Sequence, residues 1–140
     1  MRSADRASRC HSGIHIGYVA PIGECSRRVR KISHVAATAL RCVVISPTRE
    51  LAVQVLDTCA KLGKCYHWVV CGGVMGGENK QKEKARLRKG VSVLVATPGR
   101  LLDHLRSTTA FRADLLRWLV LDEADRMLDV GFEEDLNAIL

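Results

Sequence analysis

Residues 117 to 129, RWLVLDEADRMLD, set an apolar run directly against three carboxylates, Asp122, Glu123 and Asp125. Side chains of this type and order can do chemistry on phosphate esters: one carboxylate holds a divalent cation, usually through water, and its neighbour orients or deprotonates an attacking water. The same tetrapeptide also suits a solvated acidic turn or a helix start, where carboxylates complement the helix dipole. An acid pair of the phosphatase type would place a second Asp two residues after Asp122, and that position is Ala124.

Two other segments carry matched chemistry. SPTREL (46 to 51) and TPGRLL (97 to 102) both run hydroxyl residue, Pro, any residue, Arg, Leu. Proline is tolerated in the first helical turn because its missing N–H is not needed there, so each segment can expose helix N-terminal amides, a hydroxyl and an arginine together. Such a cluster suits a phosphate. Two of them, with Gly76 and Gly77 between them in sequence, could follow successive phosphates of a nucleic-acid strand. Taken singly, Thr48 and Thr97 also read as turn or cap residues, and Arg49 and Arg100 as partners in local ion pairs.

These groups act together only if the fold brings them to one place. RCVVIS is a short β-branched run. It is followed by Pro47 and by RELAVQVLDTCAKLG, whose Leu51, Ala52, Val55, Leu56, Cys59 and Leu62 recur at helical spacing until Gly63 closes the segment. YHWVV (66 to 70) repeats the strand signal, CGGVMGGENK reads as a glycine-rich loop, and QKEKARLRK as a basic helix stopped at Gly90. The interleaving of Glu78 and Glu83 with the cations reads as a solvated face. VSVLVA, TPGRLLDHLRS and LRWLVLD add a strand, a helix and a strand. Strands without polar alternation are buried on both faces, and four of them separated by helices predict a parallel sheet in a three-layer α/β domain. Functional groups then belong at the carboxyl ends of the strands.

A chain of 140 residues that is 47% hydrophobic is about one domain, or part of one. Its formal charge of +7 is uneven: residues 1 to 40 hold seven basic and two acidic residues, and residues 41 to 140 fifteen and thirteen. Basic excess points weakly to a polyanionic partner. Six cysteines occur without a C-x-x-C pair, which predicts reduced thiols; Cys10, His11, His15 and Cys25 do not have the spacing of a standard zinc finger, and no cysteine-held metal is expected. No apolar run approaches the roughly 20 residues of a membrane span.

In order and spacing, Thr48-Arg49-Glu50-Leu51-Ala52, Met75-Gly76-Gly77, Thr97-Pro98-Gly99-Arg100 and Asp122-Glu123-Ala124-Asp125 resemble the first RecA-like domain of a DEAD-box ATP-dependent RNA helicase. The likeness spans about residues 39 to 140, and KARLRKGVSVLVATPGRLLDHL and LRWLVLDEADRMLDVGFEEDL are similar to the subgroup associated with ribosome assembly. The resemblance implies a three-layer RecA-like (P-loop NTPase) fold with a parallel sheet, here incomplete. It implies ATP and Mg²⁺ as cofactors: Asp122 would hold Mg²⁺ through water, Glu123 would position the hydrolytic water, and Asp125 would join the network coupling ATP to a second RecA-like domain. Pro47, Thr48, Arg49, Gly76, Gly77, Thr97, Pro98, Gly99 and Arg100 would contact the RNA backbone, largely independently of base sequence. The subgroup resemblance implies a nuclear or nucleolar location, with cytoplasm or an organelle left open, and the absence of a long apolar run implies no membrane association.

The chain departs from that pattern upstream of residue 41, where no G-x-x-x-x-G-K-[ST] occurs, and it lacks the adenine-reading glutamine segment, the Ser-Ala-Thr motif and the second domain. It therefore reads as a fragment, with no RNA-stimulated ATP turnover expected of it alone. Residues 1 to 38 resemble nothing assignable and are expected to be poorly ordered or to supply improvised helix or strand. The alternative from another class is a non-catalytic RNA-binding or partner-binding module that keeps the two arginine motifs.

Overall fold

The computed structural model describes residues 16–21, 39–66, 68–109 and 111–140. A five-stranded sheet runs in the order β1-β5-β2-β4-β3, with β1 Ile16–Pro21, β2 Cys42–Ile45, β3 Cys71–Val74, β4 Val93–Ala96 and β5 Trp118–Asp122. β5, β2, β4 and β3 are mutually parallel, whereas β1 pairs antiparallel with β5. The helices are α1 Arg49–Cys65, α2 Lys80–Lys89, α3 Pro98–Ser107, α4 Ala124–Asp129 and α5 Glu133–Ile139.

Strands β2, β3 and β4 are largely buried on both faces, whereas Trp118 of β5 is exposed. Val43, Ile45, Leu94, Ala96 and Leu119 join Leu87, Leu101, Met127 and Leu136 in the larger cluster, under α2 to α5. Val44 and Val95 point the other way and pack with Ala52 and Met75, beside Val55, Leu56 and Cys59 of α1. Helices on both sides of a parallel sheet make the three-layer α/β architecture read from the sequence.

The third strand is displaced from its expected place. The described residues of the run 66 to 70 are not strand; the pairing residues are Cys71–Val74, inside the glycine-rich stretch expected to be a loop. Packing explains it. A Cβ on Gly73 would stand 2.6 Å from Met75 Cε and 2.9 Å from Leu56 Cδ2, and one on Gly72 3.0 Å from Val91 Cγ2. Side chains from both sides thus reach the backbone of β3, which only glycine permits.

Helix α1 continues two residues beyond Gly63 before Tyr66 caps it. Strand β1 lies in the segment for which only improvised structure was expected; the rest of residues 1 to 38, with the candidate zinc set of Cys10, His11, His15 and Cys25, lies outside the described residues. Among the described residues no helix is long and apolar enough to cross a membrane.

Candidate functional site

Each of the four parallel strands ends in one of the chemically loaded segments, so Ser46 to Arg49, Met75 to Gly77, Thr97 to Arg100 and Asp122 to Asp125 gather on one edge. Asp122, the last residue of β5, is 8% exposed, and the buried Ser46 at the end of β2 donates its Oγ–H to Asp122 Oδ2 at 3.2 Å. That bond spans two adjacent strands and fixes the carboxylate at the rim.

Glu123 follows in the left-handed region (φ 50°, ψ 53°), the one non-glycine residue with positive φ among those described. A side chain there costs about 1–2 kcal/mol, a strain that tends to persist where function demands it. Its Oε2 accepts from Arg126 Nη1 at 3.1 Å, a partly exposed i,i+3 pair. Asp125, in the first turn of α4, is exposed. Asp122 with one neighbouring carboxylate matches magnesium chemistry, since Mg²⁺ keeps most of its waters and shares one or two carboxylates with substrate phosphates. Among the described residues no group of three His, Cys, Asp or Glu side chains could cage a metal without that help.

The first hydroxyl-Pro-x-Arg segment behaves as its sequence suggested. Pro47 is buried, and Thr48 caps α1 by accepting the Leu51 N–H at 3.4 Å. Arg49 is exposed, and its guanidinium lies against Gly77, occupying the space that a Cβ there would need. Gly77 also has φ 89°, whereas Gly76 faces open space. The first motif and the glycine pair thus meet directly.

The second segment is built differently. Thr97 is the N-cap of α3 without a side-chain capping bond, and Pro98 takes the first helical position. Gly99 is exposed and passes close to Asp135 of α5. Gly76, Gly77, Thr97, Gly99 and Arg100, joined by Asp103 and Phe132, line one open groove of about 350 Å³. Arg100 is turned largely inward: Nη2 donates to the Glu78 carbonyl at 2.7 Å, and Nε stands 3.0 Å from Glu83 Oε2. The Nε–H has no hydrogen-bond partner, so at Glu83 the contact is one of charge rather than a directed bond.

Glu83 is the feature that sequence reasoning missed. Instead of standing on a solvated face it is fully buried. Its Oε1 accepts the Met75 N–H at 2.9 Å, and its Oε2 lies 2.9 Å from Nε2 of the buried His104, whose Nδ1 is 2.9 Å from Thr108 Oγ1. One carboxylate therefore ties the end of β3, ahead of the glycine pair, to α3 and Arg100. A readable signal existed: Arg100, His104 and Thr108 recur every four residues, a polar stripe on one face of α3.

At the groove margin Arg86 pairs with Glu78 at 2.8 Å and also donates to the Gly73 carbonyl; its hydrogen bond holds the Glu78 carboxyl below the usual range. Lys80 likewise holds Asp103 low, at 2.6 Å. On the α1 side, Cys71 Sγ donates to the Cys59 carbonyl at 3.4 Å, and burial, with Cys59 and Cys71 nearby, pushes the Cys42 thiol up to about 11.

Comparison with known proteins agrees with this geometry. The family "DEAD/DEAH box helicase" matches residues 25–140. The chain is 57% identical over 98 residues to the human protein named ATP-dependent DNA helicase DDX31, which covers 70% of this chain and 12% of that protein. Over 131 residues it is 46% identical to the Schizosaccharomyces pombe protein named ATP-dependent RNA helicase dbp7, covering 92% of this chain and 18% of that one. The chain thus spans under a fifth of the length of these relatives. The crystal structure of the yeast DEAD-box splicing factor Prp28 superposes with a TM-score of 0.71 at 30% identity, covering 81% of this chain and 26% of that one.

Proposed function

From the premise that the chain belongs to the DEAD/DEAH box helicase family, we propose that it supplies the first RecA-like portion of an ATP-dependent RNA helicase, in which one strand edge serves both nucleotide and RNA. The observation that carries this reading is the convergence of four motif-bearing strand ends, with Arg49 against Gly77 and Asp122 tied to Ser46.

Asp122 is the residue to hold Mg²⁺ through water, and bound Mg²⁺ would neutralise charge on the ATP phosphates. Glu123, aimed by its left-handed backbone, orients the hydrolytic water, while exposed Asp125 faces the coupling to a second RecA-like domain. Pro47, Thr48, Arg49, Gly76, Gly77, Thr97, Pro98, Gly99 and Arg100 form the RNA edge. Arg49, whose guanidinium is at the surface, is the direct phosphate ligand; Arg100, anchored on Glu83, mainly holds the groove in shape. Such contacts read backbone and sugar, so binding is largely sequence-independent, and a ribosome-assembly role in the nucleolus would have to draw its specificity from elsewhere.

The test uses the purified chain with single-stranded RNA and, because relatives carry both DNA and RNA helicase names, single-stranded DNA of the same sequence. RNA affinity should fall on a log–log salt plot with a slope of about 0.7 per phosphate contacted, and Arg49→Ala should lower that slope by about one contact. Salt-insensitive binding would overturn the reading of this edge, and equal affinity for DNA would remove the ribose 2′-hydroxyl from it. ATP turnover should not exceed that of Glu123→Gln, because this sequence contains no G-x-x-x-x-G-K-[ST] cradle. Turnover without that cradle, lost on Glu123→Gln, would refute the dependence on a missing phosphate site. RNA binding without any ATP-linked activity in a longer chain would favour the non-catalytic module.

A further inference from the structure

The opposite end of the sheet, where the parallel strands begin, carries a second cavity of about 350 Å³. Its walls come from three segments: Ala39 and Leu40 before β2, the last turn of α2 with Gly90 and Val91 before β4, and Phe111 to Leu115 before β5. Leu40, Leu87 and Val91 are buried and form an aliphatic floor, Phe111 is half-buried, and Leu115 is 52% exposed at the mouth.

The rim is predominantly basic. Arg88, Lys89 and Arg112 are exposed around the cavity, against a single acid, Asp114. Arg88 and Lys89 make no ion pair among the described residues. The Arg112–Asp114 pair, 3.3 Å apart and open to solvent on both sides, is of the kind that contributes little and exchanges easily. Cations in the last turn of α2 also complement the helix dipole, but that reason does not reach Arg112, which belongs to another segment, nor the apolar floor between them.

We propose that this cavity is a docking site for a segment of a partner protein that presents a bulky apolar side chain flanked by carboxylates. The space is at the lower end of the range for ligand pockets and suits one large side chain with part of its backbone. Burying that anchor supplies affinity at the centre, and the Arg88, Lys89 and Arg112 rim supplies steering and selection against basic segments. An RNA strand fits the rim but not the floor: a base inserted between Leu40, Leu87 and Val91 would leave its hydrogen-bonding edge without partners. Lying at the far end of the strands from the phosphate edge, the site does not depend on the helicase reading, and a partner could sit there while RNA is bound.

The experiment follows a fluorescein-labelled synthetic peptide with a central Phe between Asp and Glu residues, titrated with the whole chain and read by anisotropy. Saturable binding is expected, about tenfold weaker or more when the peptide Phe is replaced by Ala. Arg88→Glu with Arg112→Glu should weaken it by about tenfold, with circular dichroism unchanged. A benzophenone at the Phe position should cross-link within residues 111 to 116, and Leu115→Asp should abolish that product. Equal binding of Lys-flanked or Ala-substituted peptides, or cross-links confined to other segments, would overturn the proposal. So would competition by single-stranded RNA that the same rim variants relieve, which would assign this end of the sheet to nucleic acid instead.

Discussion

Two neighbouring glycines separate cleanly at the level of single residues. Gly77→Ala forces a side chain into φ 89° and into the space held by Arg49, so it should cost about 1–2 kcal/mol and, by displacing the guanidinium, weaken RNA binding more than it unfolds the chain. Gly76→Ala meets open space and should change thermal stability and RNA affinity little. Paired melting and binding curves decide between them; equal losses at both positions would contradict the close approach of Arg49. Glu123 bears the complementary strain. Glu123→Gly should raise stability by about 1 kcal/mol in urea titration by relieving the left-handed backbone, while removing the proposed water-orienting carboxylate. At this scale the sequence was informative wherever chemistry follows from residue type, as at Thr48, which caps its helix, and Asp122, which ends its strand. Glu83 was missed for a physical reason: a glutamate among Lys80, Lys82, Lys84 and Arg86 looks solvated unless the polar spacing of Arg100, His104 and Thr108 is set against it.

Among the elements, α2 and α3 are joined at the surface by Lys80–Asp103 and in the interior by the Glu83 carboxylate. Glu83→Ala would leave the Met75 N–H without its acceptor and take the shared carboxylate from His104 and Arg100, and breaking a buried charged pair from one side costs about 3–5 kcal/mol. A fall of that size in chemical denaturation is expected, together with looser RNA binding, because the glycine pair and Arg100 lose their common anchor. A loss under about 1 kcal/mol would show that the network is replaceable by solvent. Strand β3 illustrates the limit of periodicity. The apolar run 66 to 70 satisfies every strand preference, yet the chain pairs at Cys71–Val74 because only Gly72 and Gly73 let Leu56, Met75 and Val91 close over the backbone. Propensity scores what a side chain favours, and at those two positions the governing fact is that there is none.

For the molecule as a whole, the asymmetry between the two faces of the sheet has a pH signature. Cys42 lies under α1 with its thiol raised from 9.0 to about 11, chiefly by burial and then by Cys59 and Cys71. Between those values the unfolded chain gives up the proton and the native chain keeps it, so stability should decline as pH rises from about 9 through about 11, modestly because the site is only partly enclosed. Replacing Cys42 by Ala should flatten that limb of the urea-midpoint profile; an unchanged limb would mean that other groups govern it. The three-layer architecture itself was legible, since four apolar strands alternating with helices admit few other arrangements, whereas the antiparallel β1 had no periodicity to announce it. The Ser46–Asp122 hydrogen bond adds a kinetic corollary. It joins residues 76 apart in the chain, across a pairing of β2 with β5 that must wait for β3, β4 and their helices to be synthesised and to collapse. A contact closed over so long a loop forms late, so the acidic rim should be among the last features to mature in refolding, and substitutions that loosen it should register as faster unfolding rather than slower folding.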